Sequence, residues 1–153
     1  MKIQIALLIV YFISCSTTGS LINQFNVDNV PLVIMTRTAC YGTCPQYTIS
    51  IYDNGFIKYD GKLFVDKKGC YYSKISQSSL DLLIAKIKII DFFDLNTNYD
   101  APMTDLPSVI VEVNLASNHH KITDRFSGPE KLKELHIFID SISNSVIEWQ
   151  LCN

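Results

Sequence analysis

Apolar and polar positions alternate with period two in several stretches between Leu32 and Ile75, the pattern that sends successive side chains to opposite faces of a strand. Leu32 to Arg37 is rich in β-branched residues and predicts a first strand. Tyr47, Ile49 and Ile51 then alternate with Thr48, Ser50 and Tyr52, which predicts a second strand with one apolar face. Asn54-Gly55 follows as a hairpin signal, because both residues tolerate positive φ. Phe56 to Tyr59 returns, Asp60-Gly61 reads as another turn, and Leu63 to Val65 runs back. Lys67-Lys68-Gly69 predicts a third turn before a strand over Cys70 to Ile75. The first half is therefore expected to be an antiparallel meander.

The period changes at Ser78 to Phe92, where Leu80, Leu83, Ile84, Ile87 and Ile90 fall on one helical face and Ser78 with Asp81 fits a capping box. Asp94 to Leu106 has no clear period and is long for a connection in a compact domain. Val109, Val111, Val113 and Leu115 mark a strand, Ser117-Asn118 a turn, and His119 to Phe126 its return. Gly128-Pro129 opens a last helix whose stripe is Leu132, Leu135, Ile139, Ile142 and Val146. Strands, a helix, a hairpin and a second helix in that order predict an α+β fold, a mainly antiparallel sheet with two helices on one face. One domain over residues 31–149 is expected, with 150–153 as a C-terminal tail.

The opening residues follow another rule. Met1-Lys2 gives a short basic start, and Ile5 to Ile13 is unbroken apolar sequence. As a helix that run covers only ~14 Å at 1.5 Å per residue, against a bilayer core of ~30 Å, so it reads as an export signal. It ends at Phe12-Ile13-Ser14-Cys15, which resembles the lipobox of bacterial lipoproteins, where a small residue precedes a cysteine that is acylated before cleavage. The expectation is a signal peptide over 1–14, a lipidated Cys15 and a tether to residue 30. A plain signal peptide cut near Gly19 or Ser20 is the competing reading. Either way the protein is expected in the bacterial cell envelope, periplasmic or surface-facing, and the lipid would bring it to a membrane.

Charge narrows the partners. The 13 basic and 15 acidic side chains among 153 residues are spread without long runs. Nucleic-acid binding needs a concentrated basic face, so no nucleic-acid partner is expected. Removal of Cys15 with a leader, or its lipidation, leaves Cys40, Cys44, Cys70 and Cys152, an even number suited to an oxidising compartment. Four cysteines allow three pairings, of which Cys40–Cys44 is the easiest to close.

The most distinctive segment runs Arg37-Thr38-Ala39-Cys40-Tyr41-Gly42-Thr43-Cys44-Pro45-Gln46-Tyr47. With Thr104-Asp105-Leu106-Pro107 it resembles an uncharacterised family of small bacterial envelope domains, over about Leu32 to Ser145. That family carries Arg-x-x-Cys-x-Gly-x-Cys-Pro-x-Tyr before a strand-rich half and Thr-Asp-Leu-Pro before a later hairpin. The resemblance implies a domain type and carries no activity or functional residue with it.

Three readings of Cys40 and Cys44 stay open. A structural disulfide would contribute roughly 2 kcal/mol for so short a loop. A redox centre would need a lowered thiol pKa, usually from a helix N-terminus, and here a strand follows. A metal site would need further ligands, for which His119, His120 and His136 are the candidates. His119 and His120 sit beside a turn and point to opposite faces, and His136 reads as a helix-flank residue. No metal or other cofactor is expected.

Nucleophile elbows, metalloprotease helices and glycine-rich phosphate loops are missing from the sequence. The long loop instead offers Tyr99, Asp100, Met103 and Asp105 as a candidate binding surface, since rigid scaffolds position such loops for recognition. Asp105 is also a candidate ion-pair partner for Arg37, or for Arg125. The reading that follows is a non-enzymatic binding module for an envelope protein or surface component. A metal-binding or thiol-redox protein using Cys40 and Cys44 is the alternative.

Overall fold

A computed structural model describes residues 30–100, 102, 103 and 105–152 of the chain. The expected export signal, Cys15, the expected tether up to residue 29 and Thr104 lie outside the described residues.

Eight strands form one sheet in the order β5-β7-β6-β1-β2-β3-β4-β8. The strands are β1 (Val33–Arg37), β2 (Gln46–Ile51), β3 (Phe56–Leu63), β4 (Gly69–Lys74), β5 (Asn98–Tyr99), β6 (Val109–Leu115), β7 (Asn118–Asp124) and β8 (Gln150–Leu151). Every pairing is antiparallel except β5 with β7. Helices α1 (Gln77–Ile89) and α2 (Glu130–Asn144) pack together. The fold is α+β, as the changing period predicts.

The period-two pattern places Val33, Met35, Ile49, Ile51, Ile57, Val111, Val113 and Ile122 in one buried cluster. Leu80, Leu83 and Ile87 of α1 and Leu132, Leu135 and Ile139 of α2 complete it. Enclosing a side chain of this kind contributes roughly 1.5–3 kcal/mol, so the sheet–helix interface holds the fold. Residues of the alternate set are more polar, and the cross-strand pair Thr36–Thr48 shares a hydroxyl hydrogen bond of 3.1 Å.

Several local expectations change. Asp60-Gly61 is not a turn: β3 runs through it to Leu63, and the reversal falls at Phe64 to Lys68. Gly61 is required for a different reason, since a Cβ there would collide with the carbonyl of Lys67 and the Tyr59 ring. At Asn54-Gly55 the hairpin does form, with Gly55 at φ 80 and the Asn54 side chain accepting from Phe56 N at 3.1 Å. Helix α1 starts at Gln77, and its cap is Ser76, whose hydroxyl accepts from Ser79 N at 3.1 Å. The Ser78–Asp81 box is absent because Asp81 takes its bond from Gln77 instead. The aperiodic stretch after α1 contains a short 3-10 helix, Phe92–Asp94, and strand β5, both too short to register as a period. Residues 150–152, expected as a tail, add β8 to the sheet edge and close a disulfide from Cys152 to Cys70.

Candidate functional site

The Arg-to-Tyr motif is a β1–β2 connection closed at both ends. Arg37 ends β1, Tyr47 lies near the start of β2, and the two are direct cross-strand partners. Between them Cys40 and Cys44 form a disulfide with Cα atoms 5.8 Å apart, across an exposed Tyr41-Gly42-Thr43 tip. Both sulfurs are bonded to each other, so neither offers a thiolate to a metal in this form, and β2, not a helix, follows the loop. Among the described residues no group of three His, Cys, Asp or Glu side chains could hold a metal ion.

Arg37 and Tyr47 converge on one carboxylate from the other end of the chain. Asp140 of α2 accepts from Arg37 Nε at 3.2 Å and from Nη2 on Oδ2, and from the Tyr47 hydroxyl at 2.6 Å on Oδ1. Burial disfavours the Arg37 charge, but the hydrogen bond to Asp140 and its negative charge outweigh that and hold the guanidinium above its ordinary pKa. Burial, then the hydrogen bond and charge of Asp140, push the Tyr47 hydroxyl well above the usual tyrosine range. A permanent cation and a phenol that keeps its proton are donors, so this cluster is built to hold α2 against the sheet. The carboxylate that meets Arg37 is thus Asp140, where sequence reasoning had expected Asp105. Asp140→Ala leaves both donors unpaired in a half-buried place and is expected to cost about 2 kcal/mol in a urea unfolding curve. Asp140→Asn, which still accepts from Tyr47, should lose less.

A second polar pair lies beneath α2. Asp124 at the end of β7 and His136 are 5% and 4% exposed, with His136 Nδ1 4.0 Å from Asp124 Oδ2. Asp124 Oδ1 accepts from Gly128 N at 2.9 Å, and a Cβ at Gly128 would overlap that carboxylate. Burial, with Arg37 and Lys133 nearby, lowers the His136 pKa to about 4. Its Nε2 is enclosed without a hydrogen-bond partner among the described residues. His136 is therefore a buried neutral imidazole, not the helix-flank residue expected. The other histidines are elsewhere: His119 Nε2 lies 3.1 Å from Glu112 on the surface, and His120 Nε2 lies 2.9 Å from the Leu95 carbonyl with its ring edge-on to Phe92.

The candidate binding loop divides into docked and free-standing parts. Tyr99 sits in β5 with its ring packed on the core, and its carbonyl accepts from Arg125 N at 2.8 Å. Asp100 Oδ1 is 3.2 Å from Arg125 Nη1, and its carbonyl accepts from the Ser127 hydroxyl at 2.9 Å. Both residues anchor the loop to β7. The loop also meets the disulfide segment: Tyr41 N donates to the Asp105 carbonyl at 3.4 Å, Thr38 N to the Ser108 carbonyl at 3.0 Å, and Ser108 N to Thr38 Oγ1 at 2.8 Å. Exposed side chains at this end are Tyr41, 92% accessible, and Met103, 51%.

Sequence reasoning missed Asp124 and Asp140, and it placed His136 on the helix flank. A signal existed for Asp124, which continues the inward alternation of Ile122 at the end of a strand. For Asp140 there was none, because its partners are about a hundred residues away.

Among the described residues no helix is long and apolar enough to cross a membrane. No curated protein matches the chain. A family model described as a domain of unknown function, DUF6438, matches residues 31–143, from just before β1 to nearly the end of α2, and the chain belongs to that family.

Proposed function

We propose that this is an exported, lipid-anchored envelope protein whose domain is a non-enzymatic binding module for another envelope protein or a surface component. The observation that carries the reading is the pairing of all four domain cysteines as Cys40–Cys44 and Cys70–Cys152. Such bonds persist in oxidising compartments and are rare where thiols are kept reduced. The basic start, the short apolar run and Ser14-Cys15 support the same route. Membership of an envelope family with the cysteine and Thr-Asp-Leu-Pro motifs is part of this proposal.

The recognition surface is the end of the domain where the disulfide tip meets the long loop. Tyr41 and Met103 stand exposed there, and Tyr41 does so on backbone hydrogen-bonded to the Asp105 carbonyl, so its apolar area is held with little ordering left to be done on binding. Tyr99 and Asp100 support this surface from behind.

Mass spectrometry of the mature protein from its native host should find Cys15 as the first residue, carrying a diacylglycerol thioether. A chain that still begins at Met1, or one that starts beyond Cys15, removes the anchor. Affinity capture from the native envelope should recover a partner with the unaltered protein and lose most of it with Tyr41→Ala combined with Met103→Ser. Equal recovery by the variant would place recognition elsewhere.

A further inference from the structure

The geometry points to a second binding site, for a single ring of a neutral saccharide, in the groove between the β3–β4 turn and the C-terminal end of α2. The inference deepens the proposed binding role and rests on it. The groove has a volume of about 240 Å³. That lies below the roughly 300–1,000 Å³ of sites for drug-sized ligands, and it suits one small ring with the rest of a chain left in solvent.

Its lining has two chemistries. Tyr59, Phe64 and Trp149 supply rings, and Asp66, Lys67 and Asn144 supply polar groups. Tyr59 is stacked on Tyr47 on one side, with centroids 5.4 Å apart, and tilted at 59° against Trp149, with centroids 5.9 Å apart. Tyr59 and Trp149 therefore brace one another in the groove wall, and exposed Phe64 lines it as well. An aromatic face carries partial negative charge and attracts the slightly positive C–H face of a pyranose. The polar groups set the rest of the selection. Asp66 accepts, Lys67 donates and the Asn144 amide does both, the combination that vicinal hydroxyls or an acetamido group can satisfy. Asp66 and Lys67 are adjacent and of opposite charge, so the groove presents no net field to favour an ionic ligand. Nearness of Asp66 to Tyr59 is independently visible, since its charge adds to burial in raising the Tyr59 pKa.

Trp149 is the only tryptophan of the chain, so tryptophan emission comes from a residue of this groove. The purified full-length protein is titrated with maltotetraose, cellotetraose and the β-1,4 tetramer of N-acetylglucosamine, each to about 10 mM, past the millimolar range of weak ligands. At least one should give a saturable change in emission. Asp66→Ala with Asn144→Ala, both outside the core cluster, should raise the apparent Kd about tenfold or more while far-UV circular dichroism stays unchanged. Two results overturn the site: no saturable change with any of the three probes, or the same titration in a folded double variant. A protein confirmed as lipidated at Cys15 that gives no titration loses this groove and keeps the anchored module. A protein without the lipid that still titrates keeps the groove.

Discussion

Replacing Cys70 and Cys152 together by serine is expected to lower the unfolding free energy by roughly 4–5 kcal/mol. The bond links residues 82 apart in sequence, and the loop-entropy account of disulfides gives about this value for a loop of that size. For Cys40 and Cys44, four residues apart, the same account gives only about 2 kcal/mol. The ordering of the two double variants is the decisive reading, because loop length is what separates them. Urea midpoints at pH 7, with slopes compared, should show the Cys70/Cys152 variant losing about twice as much. Equal losses would mean that the long loop is already constrained in the unfolded chain. Local structure supports the larger effect. β8 is two residues long and exposed, held at the sheet edge by its pairing with Tyr71 and Tyr72, by Cys152 N on the Cys70 carbonyl at 3.0 Å, by Tyr72 Oη on Gln150 at 2.7 Å and by the Ser73 hydroxyl on the Glu148 carbonyl at 2.6 Å. A strand so short has little pairing of its own to hold it once the covalent link is cut. Its release would also free the segment around Trp149, so emission should shift in the same variant.

Acid is expected to remove about 3 kcal/mol of stability between pH 6.5 and 4 through His136 alone. The folded protein holds its imidazole neutral down to about pH 4, whereas in the unfolded chain it takes a proton near pH 6.5. Across that window the unfolded state binds more protons, so stability rises with pH, is fully present above 6.5 and is lost as pH falls towards 4. The cause is burial, with Arg37 on β1 and Lys133 on the same helix adding repulsion. The Asp124 carboxylate, 4.0 Å away, opposes part of this shift, but it lies outside hydrogen-bond reach and its other oxygen is already occupied by Gly128 N. Urea midpoints at pH 7.0, 5.5 and 4.5 should fall in step, and His136→Gln should flatten that dependence. A variant that keeps the full slope would assign it to the carboxylates.

What could be read from the sequence was periodic. The strands carrying Ile49, Ile51, Val111 and Val113 and the stripes of Leu80 to Ile87 and Leu132 to Ile142 are visible because burial repeats at two or at three to four residues. Turns were legible only where a residue type has one use. Asn54-Gly55 formed as expected, whereas Asp60-Gly61 misled because the same glycine also serves a close backbone approach inside a strand. Short elements, the 3-10 helix at Phe92 and the two-residue β5 and β8, have no room for a period. The cluster at Asp140 was illegible for another reason. Arg37 and Tyr47 are bracketed by a conspicuous motif, but the carboxylate they share comes from a helix whose placement depends on the whole sheet.

The direction of β1 has a consequence for how the domain would be displayed. The chain enters this central strand at Val33 and leaves at Arg37, roughly 13 Å further on at 3.3 Å per residue. The surfaces proposed for recognition lie at the downstream end: the Tyr41 tip, Met103, the Phe64–Asp66 reversal and the rim of its groove. A lipid attached upstream of Val30 would therefore pull on the opposite pole and present these features on the membrane-distal side, facing outward to whatever layer lies above.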